Sequence, residues 1–155
     1  MPRAIALAVA LAVALAPALV AADAAVPDGK AAAEGKGAIP RELEVHIHFR
    51  AGTAEVVDGD RLLIEAVARA MARVPSLRVR VDGHTAARGA HEWNLRLGRQ
   101  RAERVRAQLV AAGVDPARLD VESFGETRPL ADNRTAEGRA FNSRVQFTVV
   151  GGGAR

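Results

Sequence analysis

The sequence contains no cysteine. That excludes disulfides, thiolate metal sites, a cysteine nucleophile and lipid attachment at an N-terminal thiol. Aromatic residues are scarce, at 3% of the chain, and no charge of one sign dominates: 22 Lys+Arg stand against 18 Asp+Glu, a formal net charge of +4. With no basic tail, this small excess is a poor argument for a nucleic-acid partner. What the chain does have is 155 residues, 49% of them hydrophobic. That suits one globular domain and argues against a two-domain enzyme.

Arg3 precedes an apolar run from Ala4 to Ala22, interrupted by Pro17. Ala22 and Ala24 supply the small residues a signal peptidase reads, so residues 1–24 are expected to be a signal peptide. A retained membrane anchor is the alternative, because the run approaches the length of a bilayer span. Export from the cytoplasm follows either way, which removes nucleic acid and ATP from consideration. Residues 25–41 are Ala, Gly, Lys, Glu and Pro with almost no bulky apolar side chain. Such a segment cannot offset its ordering entropy and reads as a linker. Residues 151–155 read as a disordered tail for the same reason, leaving one domain over 42–150.

Within that domain Leu43, Val45, Ile47 and Phe49 alternate with polar residues, as in a half-buried strand. Asp58 or Asp60 is placed to cap a helix carrying Leu63, Val67, Ala70 and Val74, which Pro75 ends. Leu77, Val79 and Val81 mark a second strand, and a turn over Gly83–Gly89 leads into a long helix from Ala90 to Ala112, closed by Gly113. Leu119, Val121 and Ser123 form a third strand and Val145, Phe147 and Val149 a fourth, with an irregular stretch between them. The order β-α-β-α-β-β predicts an α+β sandwich, a mixed four-stranded sheet with helices packed on one face.

The long helix carries the first functional hint. Asn94, Leu97, Arg101, Val105 and Ala112 fall on one stripe at helical spacing. Burying a guanidinium without a partner is very costly, so Arg101 must meet an acid, a carbonyl or a ligand. The bland alternative is an internal ion pair with Asp82 or Glu122.

Gly83-His84-Thr85, Gly89, Asn94-Leu95, Leu97, Arg101-Ala102, Val105 and Leu109 occur in order, followed by Gly113-Val114 and Arg118-Leu119. Phe124-Gly125-Glu126, Pro129, Asn133, Gly138-Arg139-Ala140, Asn142 and Arg144-Val145 continue the series. This string resembles the OmpA-like, peptidoglycan-binding C-terminal domain over essentially all of 43–150. The resemblance implies a non-catalytic, cofactor-free protein of the periplasm, free or associated with the outer membrane, that grips diaminopimelate in the stem peptide of the cell wall. In that family an aspartate directly after Gly-His-Thr takes the ligand's ammonium, and the arginine of the long helix takes its carboxylate. The arginine falls on Arg101, where a bidentate carboxylate contact would be a strong one. Thr85, Asn94 and Leu95 match positions lining the same pocket, and Arg144 matches an arginine that is structural or ligand-facing.

The departures from the family pattern lie around that pocket. Ala86 occupies the aspartate position, and Gly52 stands where Asp or Asn is usual. Ser143 replaces an arginine and Gly98 a serine. Loss of one charge-assisted contact would weaken binding by about 1.5 to 3 kcal/mol, roughly ten- to a hundredfold. The alternative reading is therefore an envelope scaffold, binding other envelope proteins, whose diaminopimelate pocket is degenerate. A membrane partner is expected only if the N-terminal segment is retained. His46 and His48 could chelate a metal as a same-side pair, with His84 and His91 in reserve, but the simpler expectation is no metal site. No Ser, His and Asp spacing supports a hydrolase triad, and Glu65, Glu92 and Glu103 are too dispersed for a glycosidase pair.

Overall fold

The computed structural model describes residues 40–152. The expected signal peptide, nearly all of the expected linker and residues 153–155 lie outside the described residues. From Pro40 the chain makes a short 3-10 turn, Arg41–Leu43, and then enters the sheet. The elements in order are β1 (Ile47–His48), α1 (Arg61–Arg73), β2 (Arg78–His84), α2 (His91–Ala111), β3 (Leu119–Gly125), α3 (Ala136–Asn142) and β4 (Arg144–Gly151). The strands form one mixed sheet in the order β1-β4-β2-β3, in which only β2 and β3 run parallel. This is the α+β architecture expected from the sequence.

Paired residues share a face of a sheet, so the register sorts the two surfaces. Val79 is flanked by Leu119 and Val149, and Val81 by Val121 and Phe147. These rows meet α1 and α2, whose buried Ile64, Val67, Met71, Ala102, Val105 and Leu109 join them in a single core. The opposite face is polar. There the Arg80 guanidinium sits between Asp82 (2.6 Å) and Glu122 (2.8 Å), and the Thr148 hydroxyl donates to Asp82 at 2.6 Å.

The structure departs from the expected elements in four places. The first strand is far shorter than its alternation: Leu43, Ile47 and Phe49 are buried, yet only Ile47 and His48 pair in the ladder. Asp60 occupies the cap position of α1 without capping it; its carboxylate instead accepts from the His48 backbone N–H at 2.6 Å and meets His48 Nδ1 at 3.0 Å. The stretch read as irregular contains α3, whose first turn is capped by Thr135 Oγ1 accepting from Gly138 N at 2.9 Å. β4 runs one residue past 150, pairing Gly151 with Arg78.

The crossing of α2 over β2 is unusually close. A Cβ on Gly83 would collide with the Gly98 carbonyl, and one on Gly98 with the Ser123 hydroxyl. Ser123 uses that space to donate to the Leu95 carbonyl at 2.8 Å. Two glycines facing each other let the helix backbone lie directly on the sheet.

Candidate functional site

The close crossing of α2 on β2 sets the depth of Arg101, one turn below it on α2. The guanidinium is 1% exposed. Three carbonyls accept from it: Thr53 O from Nε at 2.8 Å, His84 O from Nη1 at 3.0 Å and Arg50 O from Nη2 at 3.4 Å. The Phe49 ring lies beneath, 5.2 Å from its central carbon, in a cation–π contact that suits a desolvated cation. Burial lowers its pKa to about 10, so it stays charged at neutral pH. The ion pair with Asp82 or Glu122 does not form, because both acids are engaged by Arg80 on the far face of the sheet. Arg101 thus meets carbonyls and no carboxylate, which leaves its charge uncompensated.

Two of those carbonyls come from the loop after β1. Its turn is built by Thr53, whose N–H donates to the Arg50 carbonyl and whose hydroxyl accepts from Glu55 N, both at 3.1 Å. Gly52 supplies the positive φ of 71° that this turn requires. The third carbonyl, from His84, is held at the end of β2, where Thr85 N donates to Gly125 O at 2.9 Å.

Arg101 forms part of the wall of a cavity of about 370 Å³, a size suited to a small ligand or one residue of a larger one. Gly52, Thr85, Ala86, Asn94 and Arg101 all line it. Leu95 and Arg144 lie outside it. Leu95 sits on the α2 flank toward β3, close to Gly125. Arg144 is buried beside Gln146, to which its Nε and Nη2 donate at 3.3 and 3.2 Å. Ser143, expected around the pocket, lines it too, and the remaining wall was not foreseen as such: Phe49, Ala51, Arg88, Trp93, Leu97, and Ala136, Arg139 and Ala140 from α3. Trp93, the only tryptophan and half exposed, was the one sequence signal for these residues.

The charged side chains on the wall are Arg88, Arg101 and Arg139, with no Asp or Glu. Arg139 is held in place by donating to the carbonyls of Asn133 and Arg134, each at 2.9 Å. The Thr85 hydroxyl is buried and has no partner among the described residues. A wall of this kind can take an anion against guanidinium N–H groups with apolar surface around it.

The histidines lie elsewhere. His46 and His48 rings are 6.5 Å apart, edge to face, and His48 is engaged by Asp60. The His84 ring is fully buried, stacked 5.4 Å from Phe124, with both nitrogens unpartnered among the described residues. Burial, reinforced by the nearby Arg144 charge, lowers its pKa to about 4. Among the described residues no group of three or more His, Asp or Glu side chains is placed to hold a metal ion. No described helix is long and apolar enough to cross a membrane.

The model of a known family, described as the OmpA family, matches residues 48–143. The chain belongs to the OmpA family. Outer membrane porin F of Pseudomonas fluorescens is 43% identical over 86 residues, covering 56% of this chain and 26% of that protein. The peptidoglycan-associated lipoprotein of Pseudomonas aeruginosa is 43% identical over 70 residues, 45% of this chain and 42% of that protein. The crystal structure of the peptidoglycan-associated lipoprotein from Burkholderia pseudomallei superposes with a TM-score of 0.66 at 29% identity, over 70% of this chain and 92% of that one. The chain therefore has the OmpA-family fold, while it spans about a quarter to a half of the length of the curated relatives named here. The matched segment contains the cavity wall from Phe49 to Ser143.

Proposed function

We propose that this OmpA-family domain is a non-catalytic module of the cell envelope that binds peptidoglycan non-covalently. Arg101 receives a carboxylate of the diaminopimelate-containing stem peptide, and Thr85 and Asn94 flank it. The observation that carries this reading is the buried Arg101 guanidinium on a cavity wall, satisfied by carbonyls and by no carboxylate. A bound carboxylate would supply the missing counter-charge in a partly dry site, where such a contact is strong. One protein named as a peptidoglycan-associated lipoprotein shares the fold, and another is similar in sequence over 45% of this chain. The protein is exported, acts in the periplasm near the outer membrane, and needs no cofactor or metal for this role.

The test is co-sedimentation of the purified protein with peptidoglycan sacculi, beside Arg101→Ala. Binding by the natural chain that is lost in the folded variant supports the reading. A second reading, a scaffold for other envelope proteins with a retired pocket, is favoured by the half-buried Ala86 on a wall with no acid. It predicts no sedimentation of the natural chain and a gain of binding in Ala86→Asp.

A further inference from the structure

The cavity wall carries charge of one sign only. Arg88, Arg101 and Arg139 line it, and among the described residues none of the three joins an ion pair. No described acid lines it: Glu92 and Glu137, beside Trp93 and Ala136, are exposed, and two others are engaged by basic side chains. Glu126 meets His91 Nδ1 at 2.8 Å, and Asp132 meets Arg134 at 2.9 Å. At Ala86 the wall offers only a methyl group.

An amino-acid terminus with a free amine brings a carboxylate and an ammonium on the same carbon. Its carboxylate would gain from Arg101. Its ammonium would lose water, meet no acid, and lie among three guanidiniums of like charge. Acylation of that amine removes the charge and leaves the carboxylate unchanged. The resulting amide can also exchange a hydrogen bond with the buried, unpartnered Thr85 hydroxyl. We propose that the cavity selects a carboxylate whose neighbouring amine is acylated over the same group with a free ammonium. This rests on the peptidoglycan reading above. In a cell-wall stem it means a diaminopimelate whose side-chain amine is already joined to a second stem, so the domain favours crosslinked wall.

Trp93 is the only tryptophan of the chain and lines the cavity, so its fluorescence reports occupancy. The purified chain is titrated with two probes. One is meso-diaminopimelate acetylated on one amine, with the carboxylate beside that amine converted to an amide; the other is the same amide acetylated on both amines. The one remaining carboxylate thus neighbours a free ammonium in the first and an acylated amine in the second. The doubly acetylated probe is expected to bind at least about tenfold more tightly. Ala86→Asp, which adds an acid to the wall, is expected to reverse the order. Equal binding, or tighter binding of the probe with a free ammonium, overturns the selectivity and leaves the peptidoglycan reading standing. No response to either probe also overturns it. Sacculus sedimentation on the same preparation then reads whether the peptidoglycan reading falls with it.

Discussion

Arg101 and Arg144 are buried to the same degree, each 1% exposed, and burial lowers the pKa of both. Their surroundings differ. Arg144 is enclosed by its own neighbourhood: Gln146 Oε1 accepts from Nε and Nη2, the Asn142 carbonyl accepts from Nη1 at 3.5 Å, and the Arg128 carbonyl accepts from Nη2 at 3.2 Å. Arg101 is held by carbonyls of three loop or strand-end residues far from it in sequence and borders an open cavity. A buried cation closed over by a side-chain amide is part of the scaffold. One left facing a cavity with only neutral acceptors is poised for an anion.

The comparison can be broken most severely at the helix–sheet crossing. Gly83→Ala drives a methyl group into the Gly98 backbone, which neither side can yield. We expect a loss of about 3 kcal/mol or more in denaturant unfolding. Any folded fraction should show weakened wall binding, since α2 carries Arg101 and not Arg144.

His84 stands between the two arginines: its carbonyl accepts from Arg101, and its ring feels the charge of Arg144. The folded-state pKa of about 4 lies below the ordinary imidazole value of 6.5, so the unfolded chain binds the proton more readily. The stabilisation is complete above about pH 6.5 and is lost as pH falls toward 4, with no further change below that. The expected amplitude is about 3 kcal/mol, and His84→Gln should remove most of this acid-side slope in unfolding curves taken across the window.

The smallest effect is expected at Thr135→Ala. Loss of the cap on α3 should cost about 1 kcal/mol. Because α3 contributes Arg139 and Ala140 to the wall, ligand binding should weaken modestly while the surroundings of Arg144 stay intact. Thermal unfolding and the Trp93 titration measure the two parts separately.

The element order and the family were legible in the sequence because apolar spacing and the ordered motif string are local signals. The stripe through Asn94, Leu97, Arg101 and Val105 was read correctly, although Leu109 and not Ala112 completes it. What encloses Arg101 was not legible, since backbone carbonyls leave no residue-type signature. The alternation from Leu43 to Phe49 reported burial faithfully but could not reveal that pairing with β4 is confined to Ile47 and His48 while Phe49 bridges to Val56. α3 went unseen because seven residues with an exposed Phe141 make no apolar stripe, leaving Thr135 as its only mark. With α3 unseen, Arg139 could not be brought to the cavity, and the one-signed wall emerged only from the folded chain.

The most direct measurement is sacculus co-sedimentation of the natural chain, Arg101→Ala and Arg144→Ala under conditions where all three are folded. The account predicts that the natural chain and Arg144→Ala bind within about twofold of each other, while Arg101→Ala loses about a hundredfold or more. Equal loss in both variants, or binding that survives Arg101→Ala, would contradict the claim that Arg101 is the anion site.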